Sequence, residues 1–468
     1  MNRKKIIGLL LAFTGAGILN AQPHTTITRW LTDPGNLIFF GKESVKQNFR
    51  YGGVTRQAPG IYVNEQQRYQ SIDGFGFALT GGSAMLMMQM SQPARTALIR
   101  EMFATDGDNI GTSYLRVSIG ASDLNAYVFS YDDLPVGQTD TALKHFDLGP
   151  DKKDVIPVLK EILRVNPAIK IMGSPWSPPA WMKTNGDTKG GSLRPEYFGV
   201  YARYLVKYIQ EMKKAGIRID AITIQNEPLH PGNNPSLYMP ADEQALFIKK
   251  HLGPAFRKAG VDTKIIIYDH NADKPEYPIS ILNDREAKQY INGSAFHLYG
   301  GTIDALSKVH DAHPDKQLYF TEQWVGAPGN FKEDIRFHVE QLIIGASRNW
   351  SRTVIEWNFA ADPQQNPHTD RGGCVGCLGA ITIDKDRYTR NPAYYTIAHA
   401  AKLVRPGSVR IGSNVPAHLP NVAFLTPAGK TVLIVMNSGD VMAEFEIGSK
   451  KGRLRQSLAP GAVATYSW

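Results

Sequence analysis

The sequence predicts an α/β protein: an eight-stranded parallel (β/α)8 TIM barrel with a flanking β-sandwich built from both chain ends. Three observations predict it. Eight short apolar runs, each ending in polar, Gly or Pro residues, alternate with longer amphipathic segments, as buried parallel strands joined by crossover helices do. From about Asn421 the last tenth of the chain switches to a period of two, the signature of half-buried strands. The length, 468 residues, suits one large barrel plus an accessory domain. A doubly wound open sheet is the alternative reading of the same alternation.

Residues 1–21 read as a signal peptide: Arg3, Lys4 and Lys5 precede an apolar run from Ile6 to Leu19, with a cut expected after Ala21. The run has the length of a signal core and is short for a bilayer span; a buried N-terminal helix is the plainer alternative. Residues 22–70 hold short extended stretches (Thr25–Trp30, Leu37–Phe40, Gly60–Val63) among Gly and Pro breakers. They read as loop and edge strand, expected to join the sandwich. The barrel is assigned to residues 71–400. Its strand runs are Ser71–Leu79, Tyr114–Gly120, Ile169–Ser174, Ala221–Gln225, Lys264–Asp269, Gly293–Tyr299, Gln317–Glu322 and Thr353–Phe359. Between them Asp154–Val165, Pro195–Ala215 and Asp242–Ala259 read as helices; the second carries Tyr201, Tyr204, Leu205, Tyr208 and Ile209 at helical spacing. The sandwich is assigned to residues 401–468, with strands at Val422–Leu425, Thr431–Met436, Ala443–Ile447, Leu454–Ser457 and Ala462–Ser467. So few residues cannot make a robust core alone, so pairing with the N-terminal segment is expected.

Composition narrows the function. The surplus of nine positive charges falls to six once Arg3, Lys4 and Lys5 leave with the leader, and the remaining Lys and Arg are dispersed. No basic tail or aromatic-interleaved stripe points to nucleic acid. No further apolar stretch suits a membrane span, so the mature chain is expected to lack an integral membrane segment and to act as a monomer. Two cysteines make neither a disulfide scaffold nor a four-cysteine zinc site.

A barrel carries its reactive groups at the carboxyl ends of its strands, so those ends are where chemistry should gather. The fourth run ends Gln225–Asn226–Glu227–Pro228, and the seventh ends Phe320–Thr321–Glu322. One glutamate at a strand end could serve a structural ion pair. Two on strands roughly opposite across one mouth are the pair that glycosidic cleavage needs, one protonating the leaving oxygen and the other attacking the anomeric carbon or activating water. Other strand ends supply Arg116 and Asp123, Trp176, His297 and Tyr299, and Trp357. Aromatic faces beside hydrogen-bonding groups suit a sugar, although either tryptophan alone would read as core.

Five motifs occur in order: Asp73–Gly74–Phe75–Gly76, Leu115–Arg116–Val117–Ser118–Ile119, Ser174–Pro175–Trp176–Ser177–Pro178–Pro179–Ala180–Trp181, Gln225–Asn226–Glu227–Pro228 and Phe320–Thr321–Glu322. Together they resemble glycoside hydrolase family 30, the glucosylceramidase and β-1,6-glucanase family. Asn391–Pro392–Ala393–Tyr394–Tyr395 and Pro460–Gly461–Ala462 through Tyr466 extend the resemblance through the chain's end. It implies a retaining double displacement with Glu227 as acid/base and Glu322 as nucleophile. It also implies that Asn226 bonds the sugar 2-hydroxyl, that Arg116 and Tyr299 hold the nucleophile, and that Asp123, Trp176 and Trp357 grip the glucose. His297 matches a pocket histidine without an assigned role. The pKa of Glu227 is expected to be raised by burial and a neighbouring negative charge, and the carboxylates to lie about 5–5.5 Å apart.

Remaining signals carry less. Gly74–Phe75–Gly76 lacks the third glycine of a dinucleotide fingerprint, and His310–Asp311–Ala312–His313 lacks the glutamate of a zinc-protease motif. No metal or cofactor is expected. Met85, Met87, Met88 and Met90 read as packing. Cys374 and Cys377, in a glycine-rich loop after the eighth run, suggest a local disulfide in an exported protein, a redox pair being the alternative. The reading is thus a secreted or periplasmic β-glucan hydrolase, most simply an endo-β-1,6-glucanase. A glucosylceramidase or exo-acting β-glucosidase is the alternative, and a catalytically silent carbohydrate-binding barrel the alternative of another class.

Overall fold

The computed structural model describes residues 27–45, 49–50 and 59–468; the expected signal peptide and residues Thr25 and Thr26 lie outside them. Eight parallel strands close a barrel in sequence order: Gly74–Leu79, Tyr114–Ile119, Lys170–Pro175, Ala221–Thr223, Lys264–Ala272, Ile291–Gly301, Gln317–Glu322 and Ser351–Glu356. Each falls within, or shares most of, a predicted run. The predicted helices form at Val155–Val165, Phe198–Lys214 and Ala241–Ala259, the last with a π-helical middle over Ile248–Leu252. The one difference in the first run is its start. Ser71 ends a separate strand, Gly60–Ser71, before the barrel begins.

The lumen is filled in layers, as such barrels require. At the amino end Asp73 accepts hydrogen bonds from Lys170 and Arg352, both at 2.9 Å. Above it Tyr114, Met172, Ala221, Ile266, Ala295, Tyr319 and Ile355 form an apolar ring, one residue from each strand but the first. The first strand supplies Gly76, in register with Tyr114 and Ile355. A Cβ there would lie 1.7 Å from the Tyr114 carbonyl oxygen, so only glycine fits.

The second unit is one nine-stranded sheet folded into a sandwich. Both chain ends enter it. Strand Ile27–Asp33 pairs antiparallel with the C-terminal strand Val463–Ser467 on one side and with Ile38–Val45 on the other. Gly60–Ser71 is shared between layers, pairing with Val409–Ser413 along its length and with Ala443–Ser449 at its start. Ile27–Asp33 and Gly60–Ser71 are therefore interior strands, where loop and edge strand were expected, while Ile38–Val45 is an edge strand of the sheet as expected. The polar stretch Glu65–Gln67 is accommodated as a bulge, the register against Val409–Ser413 jumping from Asn64 to Arg68. Strand Val409–Ser413 was not anticipated, its alternation resting on Val409 and Ile411 alone. Barrel and sandwich meet at helix Pro392–Ala401. There buried His399 bridges Thr465 Oγ1 (2.9 Å) and Thr32 Oγ1 (2.8 Å), one from each chain end.

Candidate active site

Two residues beyond the apolar ring, strand alternation returns side chains to the lumen, and here they are Arg116, Ser174, Thr223, His297, Thr321 and Trp357. Arg116 is fully buried. It donates through Nη1 to Glu322 Oε2 (2.5 Å), through Nη2 to Asn226 Oδ1 (2.6 Å) and Asp269 Oδ2 (2.8 Å), and through Nε to Ser174 Oγ (3.0 Å). Asp269 reaches the lumen because the fifth strand slips register there, with Tyr268 at φ 73° and Asp269 at φ 61°. It also accepts from Thr223 and Thr321, each at 2.7 Å. Burial would raise its carboxyl, but Arg116 and His297 outweigh burial and hold it well below the usual carboxylate range.

Glu322 ends the seventh strand at a register shift against His297, an irregularity that re-aims a side chain toward the mouth. The Tyr299 hydroxyl donates to its Oε1 at 3.0 Å. Glu227 follows the fourth strand at φ 46°, a left-handed conformation that costs a non-glycine residue about 1–3 kcal/mol. Its N–H donates to the Asp269 carbonyl at 2.9 Å, which anchors it. Its Oε1 lies 3.2 Å from His297 Nδ1 and 3.7 Å from His270 Nδ1, and Asn233 Nδ2 donates to Oε2 at 3.4 Å. One oxygen each of Glu227 and Glu322 lie within 4.8 Å of one another. That spacing leaves no room for the intervening water of an inverting enzyme and matches the short separation of a retaining one.

The expected upward shift of Glu227 is corrected by the structure. Burial does push it up, but hydrogen bonds and charge from His270 and His297 prevail, and its carboxyl lies below the ordinary range. The directions of the two shifts favour a protonated, charged His297 beside an ionised Glu227. Burial opposes a charge on His297, yet Glu322, Asp269 and Glu227 outweigh it and raise the ring to about 9. Glu227, His297 and Glu322 are the one set of metal-ligand side chains brought together among the described residues. A cation would have to displace that proton, and the set reads as an acid–base cluster.

These groups open into a cavity of about 620 Å³ whose wall includes Asp123, Tyr299, Trp357, Cys374 and Cys377. Trp357 faces the cavity. Trp176 stacks behind it, centroids 5.4 Å apart, with the Arg116 guanidinium 4.8 Å from the Trp176 ring. Asp123 Oδ1 and Trp176 Nε1 are buried without a protein partner, and burial with the charges of Glu322 and Glu227 drives the Asp123 carboxyl well up. Cys374 and Cys377 are disulfide-bonded, and Cys377 packs with Leu124, Trp176 and Trp357. Every candidate residue thus gathers at one mouth. Asp269, His270, His230, Asn233 and Trp324 also belong to it and were not singled out from the sequence. The strand-end rule that found the others would have reached Asp269 at the end of the fifth run.

A closed barrel with two carboxylates at this spacing defines an O-glycosyl hydrolase of the retaining type. The model of the glycosyl hydrolase family 30 TIM-barrel domain matches residues 72–404, and that of the family 30 beta sandwich domain matches residues 407–466. The chain belongs to glycosyl hydrolase family 30. It is 34% identical to the endo-1,6-beta-D-glucanase neg1 of Aspergillus fumigatus over 421 residues, covering 85% of this chain and 84% of that one. To the lysosomal acid glucosylceramidase of Mus musculus it is 28% identical over 441 residues, covering 87% and 83%. The solved structure of the endo-β1,6-glucanase BT3312 superimposes with a TM-score of 0.86 at 33% identity, covering 95% of this chain and 99% of that one.

Proposed function

We propose that this enzyme is an exported endo-β-1,6-glucanase in which Glu322 is the nucleophile and Glu227 the acid/base. The observation that carries the roles is asymmetry between the two carboxylates. Glu322 is held from both sides by Arg116 and Tyr299, which fixes it for in-line attack. Glu227 is linked to the proton-bearing His297. Glu322 attacks the anomeric carbon while the Glu227–His297 pair delivers a proton to the departing oxygen. Glu227 then takes a proton from water, which releases the sugar with net retention. Asp123 and Trp176, whose buried polar atoms lack partners, offer hydrogen bonds to the hydroxyls of the glucose in the cleaved subsite. Asn226, its Oδ1 committed to Arg116, keeps its amide donor for the 2-hydroxyl.

The linkage rests on likeness to the two named β-1,6-glucanases, each above 30% identity over most of both chains. Export rests on the basic start and apolar run of residues 1–21, with the mature chain acting as a monomer. The test is product analysis on β-1,6-, β-1,3- and β-1,4-glucans beside glucosylceramide. The expected result is internal cleavage of β-1,6-glucan to short oligosaccharides with the β-anomer released first. Glu322→Ala should lose at least about 10⁴-fold in kcat, and Glu227→Gln should lose most on substrates with poor leaving groups. Faster turnover of glucosylceramide than of any glucan would replace this substrate by the glycolipid. Release of the α-anomer would remove the double displacement.

A further inference from the structure

We propose that Trp324 and the disulfide-closed turn Cys374–Cys377 form the subsite for the first sugar on the leaving-group side of the cleaved bond. The ligand class is a β-linked pyranosyl unit, and the assignment rests on the reading of the substrate as a β-glucan.

Trp324 lies two residues beyond Glu322 and lines the same cavity as both carboxylates. It is 37% exposed, whereas Trp176 and Trp357 are 2% and 3% exposed. Its indole makes no ring–ring contact among the described residues, so a broad apolar face is offered to a polar cleft. Such a face suits the C–H side of a pyranose, since an aromatic ring buries a large area at little conformational cost.

The backbone fixes where that face points. Trp324 pairs with Trp357 across a parallel bridge. The next residues then form a short antiparallel ribbon with the cysteine loop: Val325 opposite Leu378, Gly326 opposite Cys377, and Ala327 N–H donating to the Gly376 carbonyl at 2.8 Å. The indole folds back over its own ribbon, its Cη2 lying 3.6 Å from where a Cβ on Gly326 would be. Trp324 and the disulfide turn are therefore one unit, and the disulfide closes the turn that the ribbon presents to the cavity.

Glu227 lines the same cavity, with Asn233 Nδ2 donating to its Oε2 at 3.4 Å, and so does His230. Glu227 serves the departing oxygen, so the space between it and Trp324 is where the departing sugar must lie. A ring stacked on Trp324 would turn its hydroxyls toward Asn233 and His230.

The test compares Trp324→Ala with the parent enzyme on β-1,6-glucan and on β-glucosyl fluoride, whose leaving group occupies no sugar subsite. The expected result is a drop in the ratio of glucan to fluoride kcat/KM of roughly ten- to a hundredfold, expressed mainly in KM. Trp324→Phe should restore most of it, and the Cys374→Ser/Cys377→Ser double variant should shift the ratio the same way by a smaller factor. Equal losses on both substrates would reduce Trp324 to a scaffold residue and overturn the proposal, as would an unchanged ratio. A second arm needs no glucan: transfer of glucose from the fluoride to an added methyl β-glucoside acceptor should fall in Trp324→Ala by the same factor relative to fluoride release. Transfer that is sensitive to Trp324 in an enzyme inert on β-1,6-glucan overturns the proposed polymer and leaves the subsite standing. Transfer insensitive to Trp324 overturns the subsite.

Discussion

His297 stands between two carboxylates, its Nδ1 3.2 Å from Glu227 Oε1 and its Nε2 3.1 Å from Asp269 Oδ1. Asp269 is held well below the usual carboxylate range by Arg116 and His297 against the opposing effect of burial, so it can only accept from Nε2. The ring's other proton is then the one shared with Glu227. Against burial, the charges of Glu322, Asp269 and Glu227 hold that proton to about 9.

The kcat/KM profile should follow from this sharing. Below about 9 the Glu227–His297 pair keeps its proton, and activity falls as pH rises through that value. In His297→Gln, Glu227 must carry the proton alone. The basic limb should then move down into the range of a carboxylic acid, roughly 4–6, with a loss of about 10²-fold on glucan at neutral pH. β-Glucosyl fluoride, which needs little proton assistance, should lose less. A basic limb that stays in place in the variant would mean that the imidazole does not hold the catalytic proton.

Arg116 should prove costly to remove for reasons of both stability and rate. It is fully buried and is ion-paired to Asp269 at 2.8 Å and to Glu322 at 2.5 Å. Arg116→Met leaves buried Asp269 and Glu322 without the guanidinium they share, a change worth about 3–5 kcal/mol, read from the urea unfolding midpoint. Arg116→Lys keeps the charge but cannot span Ser174, Asn226, Asp269 and Glu322 with one ammonium. It should recover most of the stability while activity stays roughly a hundredfold down. Equal stability of the Met and Lys variants would contradict a charge-pairing role.

What could be read from the sequence and what could not divide along physical lines. Glu227 and Glu322 were legible because a buried strand announces its own end, and the barrel rule says what an end is for. Asp269 was at a predicted strand end too, but its inward turn depends on the left-handed backbone at Tyr268 and Asp269, which no local pattern encodes. The same holds for the pKa of Glu227. Burial of a carboxylate can be guessed from its motif, whereas the two imidazoles that reverse the shift arrive from the fifth and sixth strands. The N-terminal strands were under-read for another reason. Gly60–Ser71 carries Glu65, Gln66, Gln67 and Arg68 in succession, and it joins the sheet because strands from the far end of the chain pair with it, Ala443–Ser449 at its start and Val409–Ser413 on either side of a bulge at Glu65–Gln67.

The seam between barrel and sandwich should be sensitive to acid through His399. Its ring is fully buried between Thr32 and Thr465, and burial depresses it to about 3. The unfolded chain takes up a proton on this histidine near its ordinary value, roughly 6.5, while the folded chain refuses it until about 3. Between those values the unfolded state binds more protons, so stability is full above the upper value and declines as pH falls toward the lower one. His399→Gln keeps a neutral hydrogen-bonding side chain and removes the titration. Its unfolding free energy should therefore be lower than the parent's near neutrality but lose less on acidification, the gap narrowing by about 1–3 kcal/mol between neutral pH and pH about 4. Carboxylates contribute acid sensitivity to both proteins, and the difference between them isolates this residue. Parallel stability curves for parent and variant across that range would show that His399 does not govern the seam.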